Sequence, residues 1–329
     1  MEKLKKTLRP TMQLKTLIMA IVILFMILGL FFYYINTSQK LPVLSLLSSV
    51  GITEPKFEFA LYGPNGKNIV KPMAVFFDET SHRIYVANTE GHNIEVFDHD
   101  GQYQFSFGSP GKEPGKILFP YGIARIPNGD LLVAEAGNCR IQRFTPDGVY
   151  LGTYLDSANR YQVQKPGPLM IDAKGQVYIG DLSGGKVVIL DRRGQMVRTI
   201  TGLQYPHGIA VDEKNGLLYV ANSGSAEIMV YSQSNNSNIP KQVIKGKNKT
   251  NHFGMVRGIA TDDAGRLYVV DSMSCEVDVF DTDGQYRFSF GEIGNEDKGL
   301  LYPNGIHIDK YGRIYVADWA NNRAVVWGY

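Results

Sequence analysis

The chain has 329 residues, 44% of them hydrophobic, with 35 glycines and a formal net charge of +2. That charge sits at the N-terminus: residues 1–35 hold Lys3, Lys5, Lys6, Arg9 and Lys15 against Glu2, and the remainder carries 29 basic and 31 acidic side chains, a net of −2. A near-neutral body lacks the basic face on which nucleic-acid binding depends, so no nucleic-acid partner is expected.

The first element is an apolar run. Leu17 to Ile35 contains no charge, and none occurs between Lys15 and Lys40. As a helix such a run spans about 28 Å, close to the hydrocarbon thickness of a bilayer. It ends in Phe31-Phe32-Tyr33-Tyr34-Ile35 and lacks the small residues of a cleavage site, so an interfacial aromatic belt is expected in place of a removed signal peptide. The preceding basic residues orient the chain. The expected organisation is a short basic cytoplasmic tail (1–15), a single transmembrane helix (16–36), a stalk (37–56) and an external domain (57–329), held at the cell membrane.

From there a short phrase returns six times: Tyr85-Val-Ala-Asn88, Leu132-Val-Ala-Glu135, Tyr178-Ile-Gly-Asp181, Tyr219-Val-Ala-Asn222, Tyr268-Val-Val-Asp271 and Tyr315-Val-Ala-Asp318. The closing residues are 47, 46, 41, 49 and 47 apart, a period that marks a repeat architecture. Each unit opens on Pro-x-Gly or a variant with an apolar strand, as in Pro120-Tyr-Gly-Ile-Ala and Pro206-His-Gly-Ile-Ala. The Tyr-Val-Ala strand, a third strand and a fourth then follow across tight turns. Four short antiparallel strands, radially repeated, predict an all-β propeller.

Val96–Gly108 and Val279–Gly291 agree at eleven of thirteen positions. The sixth unit has no fourth strand of its own, but Phe57-Glu-Phe-Ala-Leu-Tyr-Gly63 matches the fourth strands Tyr103–Gly108 and Tyr286–Gly291. Residues 57–63 are therefore expected to pair with the C-terminal blade, closing a six-bladed ring and hiding two sheet edges. Cys139 and Cys275 fall three units apart, on the order of 20 Å. A disulfide needs Cα atoms within about 7 Å, so both are expected free.

These units resemble the NHL repeat, whose pattern runs from Pro-x-Gly-Ile-Ala through Tyr-Val-Ala-Asp to Asn-x-Arg-Ile-x-Val-Phe. Asn138-Cys-Arg-Ile-Gln-Arg-Phe144 and Asn321-Asn-Arg323 carry it most clearly, and the resemblance covers about residues 57–329. It implies a six-bladed propeller. Relatives on this fold include the peptidyl-hydroxyglycine amidating lyase, with a zinc held by several histidines, and the external sensor domains of some bacterial receptor kinases.

Three features offer candidate chemistry. Asp-x-x-Gly sequences such as Asp172–Gly175, Asp262–Gly265 and Asp309–Gly312 read as type I turns, without the ligand spacing of a calcium loop. The six closing residues read as acceptors of backbone N–H groups in the loop after their strand. The middle residue of Pro-x-Gly, by contrast, varies between blades: Met73, Tyr121, Gly167, His207, Arg257 and Asn304. Met73, Tyr121, His207, Arg257 and Asn304 are the predicted ligand-binding residues at the mouth of the central channel. No catalytic residue is predicted. Of six histidines only His207 occupies this ring, with His252 and His92 in loops on the same face, so His207 and His252 are the sole candidates for zinc, and no cofactor, zinc or calcium included, is expected. The expected function is non-catalytic binding of an envelope protein or small ligand; the alternative is a propeller lyase or hydrolase working at the same mouth.

Overall fold

The computed structural model describes residues 54–64, 69–156, 158 and 160–329, all within one compact unit, 44–329. The predicted tail, transmembrane helix and most of the stalk lie outside the described residues. Among the described residues no helix is long and apolar enough to cross a membrane.

Six four-stranded antiparallel sheets form the blades. In the first, Ala74–Asp78, Arg83–Asn88, Asn93–Asp98 and Tyr103–Phe107 follow one another outward. The second strand of every blade is buried on both faces between neighbouring sheets, which is why it reads as a continuous apolar run. The predicted closure is present. Lys56–Leu61 pairs antiparallel with Arg323–Gly328, placing Phe57 opposite Trp327 and Leu61 opposite Ala324. The sixth blade thus takes its outer strand from the far end of the chain. In the fourth blade the polar segment 233–241 separates the third strand from a short outer strand, Gln242–Ile244.

The phrase residues have separable tasks. On one face the Asp-x-x-Gly turns close by a backbone bond from Gly175 to Asp172, Gly265 to Asp262 and Gly312 to Asp309, at 2.8–3.0 Å. Oδ2 of each Asp then accepts the hydroxyl of the phrase tyrosine: Tyr178 at 3.1 Å, Tyr268 at 3.0 Å and Tyr315 at 3.0 Å.

On the other face the closing residues do accept backbone N–H groups, but chiefly from the loop leading into their own blade, a correction to the sequence reading. Glu135 takes Leu118 N–H at 3.0 Å, Asp181 takes Gln164 and Lys165, Asp271 takes Gly254 and Met255, and Asp318 takes Leu301. The first hairpin folds that upstream loop beside the carboxylate, so the partner is remote in sequence and adjacent in space. The Asn-x-Arg motif completes the clamp: Asn321 and Arg323 donate to Asp318 at 2.7 and 3.0 Å, and Arg140 donates to Glu135 at 2.8 Å.

The glycine of Pro-x-Gly serves close approach. A Cβ on Gly122 would sit 2.3 Å from the Gly167 carbonyl, on Gly208 2.4 Å from Arg257 O, and on Gly258 2.5 Å from Asn304 O. Each of these three inner strands therefore leans on the backbone of the next blade's variable residue. Cys139 and Cys275 are free and share a left-handed hairpin position, φ 53° and 57°.

Candidate functional site

The six inner strands surround a central channel of about 310 Å³, lined by apolar side chains together with Tyr121, Arg125, His207, Thr261 and His307. Burial pushes His307 down to about 4, leaving it neutral beside Phe76, whose ring lies 5.1 Å away. At the Pro-x-Gly end the channel opens into a mouth of about 560 Å³. Met73, Tyr121, His207 and Arg257 line it, together with Phe119, Lys165, Leu182 and Tyr205. Asn304 does not. It is buried, and its side-chain amide donates back to the Tyr302 carbonyl at 3.1 Å.

Three of the predicted residues form one connected group. Arg257 Nη1 lies 3.0 and 2.8 Å from the two ring nitrogens of His207, and the guanidinium is close enough to the Tyr121 hydroxyl to act on it electrostatically. The tyrosine and imidazole rings are near parallel, Tyr121 at 6.0 Å and Tyr205 at 6.3 Å from His207. Burial, then Arg257 and Lys165, drives His207 down to about 3, so it is a neutral acceptor for Arg257. Burial likewise pushes the Tyr121 hydroxyl far up, keeping it protonated. Arg257 Nε is buried with no hydrogen-bond partner, and no Asp or Glu lines the mouth.

The rim residues Phe119 and Tyr205 were not foreseen. Both are exposed aromatics, at 42% and 61%, with left-handed backbone at φ 49° and 53°. Phe119 is pinned there: its N–H donates to His92 Nδ1 at 3.1 Å, its carbonyl accepts Ala136 N–H at 3.0 Å, and its ring meets the His92 imidazole edge-on. The readable signal was position, since both immediately precede the proline of Pro-x-Gly.

The two candidate zinc ligands have separate surroundings. His252 Nε2 lies 3.1 Å from the Lys249 carbonyl in its own loop, and His252 does not line the mouth. Among the described residues no group of three or more His, Cys, Asp or Glu side chains is placed to hold a metal ion. Lys241, Lys245, Lys247, Lys249 and Arg257 form a basic stretch of the sequence; Lys245 pairs with Glu227 at 3.0 Å and Lys247 with Glu276 at 2.6 Å, while Arg257 turns to the mouth.

Residues 121–291 match the SMP-30/Gluconolactonase/LRE-like region. The NHL repeat-containing protein 3 of Mus musculus is 25% identical over 183 residues, covering 51% of this chain and 52% of that protein. Protein brain tumor of Drosophila melanogaster is 29% identical over 116 residues, covering 35% of this chain and 11% of its own length. The chain therefore spans about half of the first of these relatives and about a tenth of the second. Among solved structures, a gluconolactonase from Xanthomonas campestris superposes with a TM-score of 0.65 at 17% identity, covering 84% of this chain and 95% of the other. Virginiamycin B lyase from Staphylococcus aureus does so with a TM-score of 0.56 at 16% identity, covering 84% and 89%. At such identities these two likenesses speak for the fold.

Proposed function

The chain belongs to the SMP-30/gluconolactonase/LRE-like family of propellers, and on that premise we propose that it is a non-catalytic binding propeller, held on the cell membrane by its N-terminal span with the propeller outside, which takes its ligand or an envelope protein at the channel mouth. One observation carries this reading. A frame of regular residues, used up in turns, clamps and closure, surrounds a mouth where the blade-specific side chains of Arg257 and His207 are in hydrogen-bond contact and the Tyr121 ring stacks near the imidazole. Proton-transfer chemistry works best with a group that titrates near the operating pH. His207, held to about 3, does not, which favours recognition over acid–base turnover.

The competing reading is a lyase or hydrolase at the same mouth. The family itself and the likeness to a gluconolactonase and a virginiamycin B lyase favour it. Metal analysis of the full-length protein in detergent, with assays for lactone hydrolysis, separates the two. The binding reading expects no stoichiometric zinc or calcium and no turnover. Stoichiometric metal lost on His207→Ala, or turnover lost on the same substitution, refutes it. Protease added to intact cells should digest the propeller; its full protection would refute the external orientation.

A further inference from the structure

Resting on that binding reading, we infer that the ligand at the mouth is a small organic anion, its carboxylate or phosphate held by Arg257 and Lys165 and its flat apolar part seated among Tyr121, Tyr205 and Phe119.

The charge assignment follows from Arg257. A guanidinium presents five N–H donors in a fixed fork. Here its side-chain partner is neutral, the imidazole of His207, the nearby Tyr121 hydroxyl is neutral too, and its Nε has no acceptor although that atom is buried. A partly buried cation without a counter-ion, carrying an orphaned buried donor, is costly in the free protein. An anion entering the mouth supplies both missing elements, a charge and an acceptor aligned with the fork. Lys165 also lines the mouth and is close enough to act electrostatically on His207. With no carboxylate in the lining, the two fixed positive charges give the cavity one sign of potential. That sign also disfavours a metal cation there.

The ring assignment follows from the rim. Bulky side chains avoid left-handed backbone, and strain of this kind persists only where surrounding contacts impose it. Phe119 and Tyr205 are both held in it while their rings face solvent beside the mouth. Two exposed aromatics, the Tyr121 ring and the apolar Leu182 and Met73 form a cavity within the size range of small-molecule sites. Exposed aromatic faces next to a cation suit a ligand with a planar apolar part joined to a single charged group.

The test is equilibrium dialysis of the full-length protein in detergent against benzoate, phenyl phosphate, inorganic phosphate and benzyl alcohol, each to about 10 mM. Benzoate or phenyl phosphate should bind saturably, with benzyl alcohol at least about tenfold weaker. The tighter of the two anions tells carboxylate from phosphate. Arg257→Met should weaken the anion at least about tenfold, with Arg257→Lys retaining part of the affinity. The exposed Lys165→Met provides the same comparison at a surface position and should weaken it about threefold. Tyr205→Ala should weaken phenyl phosphate but leave inorganic phosphate unchanged.

Three results overturn the inference: no saturable binding of either ring-bearing anion, benzyl alcohol binding as tightly as benzoate, or wild-type affinity in a folded Arg257→Met. A neutral ring that binds and is lost on Tyr205→Ala sinks the anion while the binding reading stands. Turnover at the mouth sinks the reading itself.

Discussion

Closure of the ring rests on a strand from the opposite end of the chain, and Leu61→Ala tests how much that seam contributes. Leu61 is fully buried, opposite Ala324 and within a cluster holding Ile69, Phe77, Ile84 and Val326. Truncation removes about three carbons, near 2.5 kcal/mol at roughly 0.8 kcal/mol each, and leaves a cavity that raises the cost to about 3–4 kcal/mol. For a domain of roughly 270 residues this lowers Tm by about 5–7 °C. Ile244→Ala is the internal control. Ile244 occupies the equivalent place in the fourth blade, paired with Ile228, so its truncation removes similar apolar volume. Its strand, however, is tied to the chain on both sides, whereas the Lys56–Leu61 strand is joined to its pairing partner only through the whole ring. Both variants should lose similar global stability by urea unfolding. Only Leu61→Ala should speed amide exchange across Lys56–Leu61 and Arg323–Gly328, by about a hundredfold. A loss below about 1 kcal/mol, or seam exchange no faster than in Ile244→Ala, would refute this account of closure.

The two neutral histidines make the fold acid-sensitive with a defined sign. The unfolded chain protonates histidine near 6.5 while folded His307 resists until about 4, so their stability contribution is complete above pH 6.5 and is lost as pH falls towards 4. His307→Gln should therefore reduce the difference between the unfolding free energies from urea titration at pH 7 and 4.5 by about 1–2 kcal/mol, a figure discounted because the ring faces the channel; an unchanged difference contradicts it. Asp278, raised by burial to about 6, acts in the opposite direction, which is why the comparison uses the histidine variant. Gly258→Ala, whose Cβ would meet backbone at 2.5 Å, should cost at least about 2–3 kcal/mol, whereas Gly216→Ala, left-handed at φ 63° with open space around it, should cost about 1 kcal/mol. Equal losses in Tm would show that the inner strands can shift apart. Tyr315→Phe removes the donor to Asp309 and should cost about 1–3 kcal/mol; a neutral change in urea midpoint would mean that water replaces the hydroxyl.

Most of the frame was legible because its determinants are local and repeated. Turn residues, buried strand runs and the likeness of Phe57–Leu61 to Tyr103–Phe107 carry six blades and their closure without long-range information. The site was legible where side chains project from a strand start, as Tyr121, His207 and Arg257 do. Asn304 occupies the same place but satisfies its amide on Tyr302 O, and nothing in the residue type separates that outcome from a ligand contact. Phe119 and Tyr205 escaped notice because exposure of an aromatic depends here on a left-handed φ, imposed by partners far along the chain or across a blade. The closing residues illustrate the same limit: the bond type was readable, but which loop supplies the N–H emerges only once the hairpin folds.

The regular and irregular residues are linked by more than proximity. Glu135 holds Leu118 N–H, and Ala136, next to Glu135, donates to the Phe119 carbonyl, so the clamp that builds the second blade also fixes a rim aromatic. Gly208 leans on the Arg257 carbonyl, so the packing that brings the fourth and fifth blades together sets where the guanidinium begins. Site residues therefore borrow their placement from contacts whose strength belongs to the frame. A mouth fixed in this way loses little conformational entropy when a ligand arrives, so binding there draws on charge and ring contacts already in position. The same coupling predicts where damage spreads. Weakening a clamp on the mouth face, such as Glu135, should disturb ligand capture and stability together. Breaking a turn-face bond, such as Tyr315 to Asp309, should lower stability and leave the mouth intact.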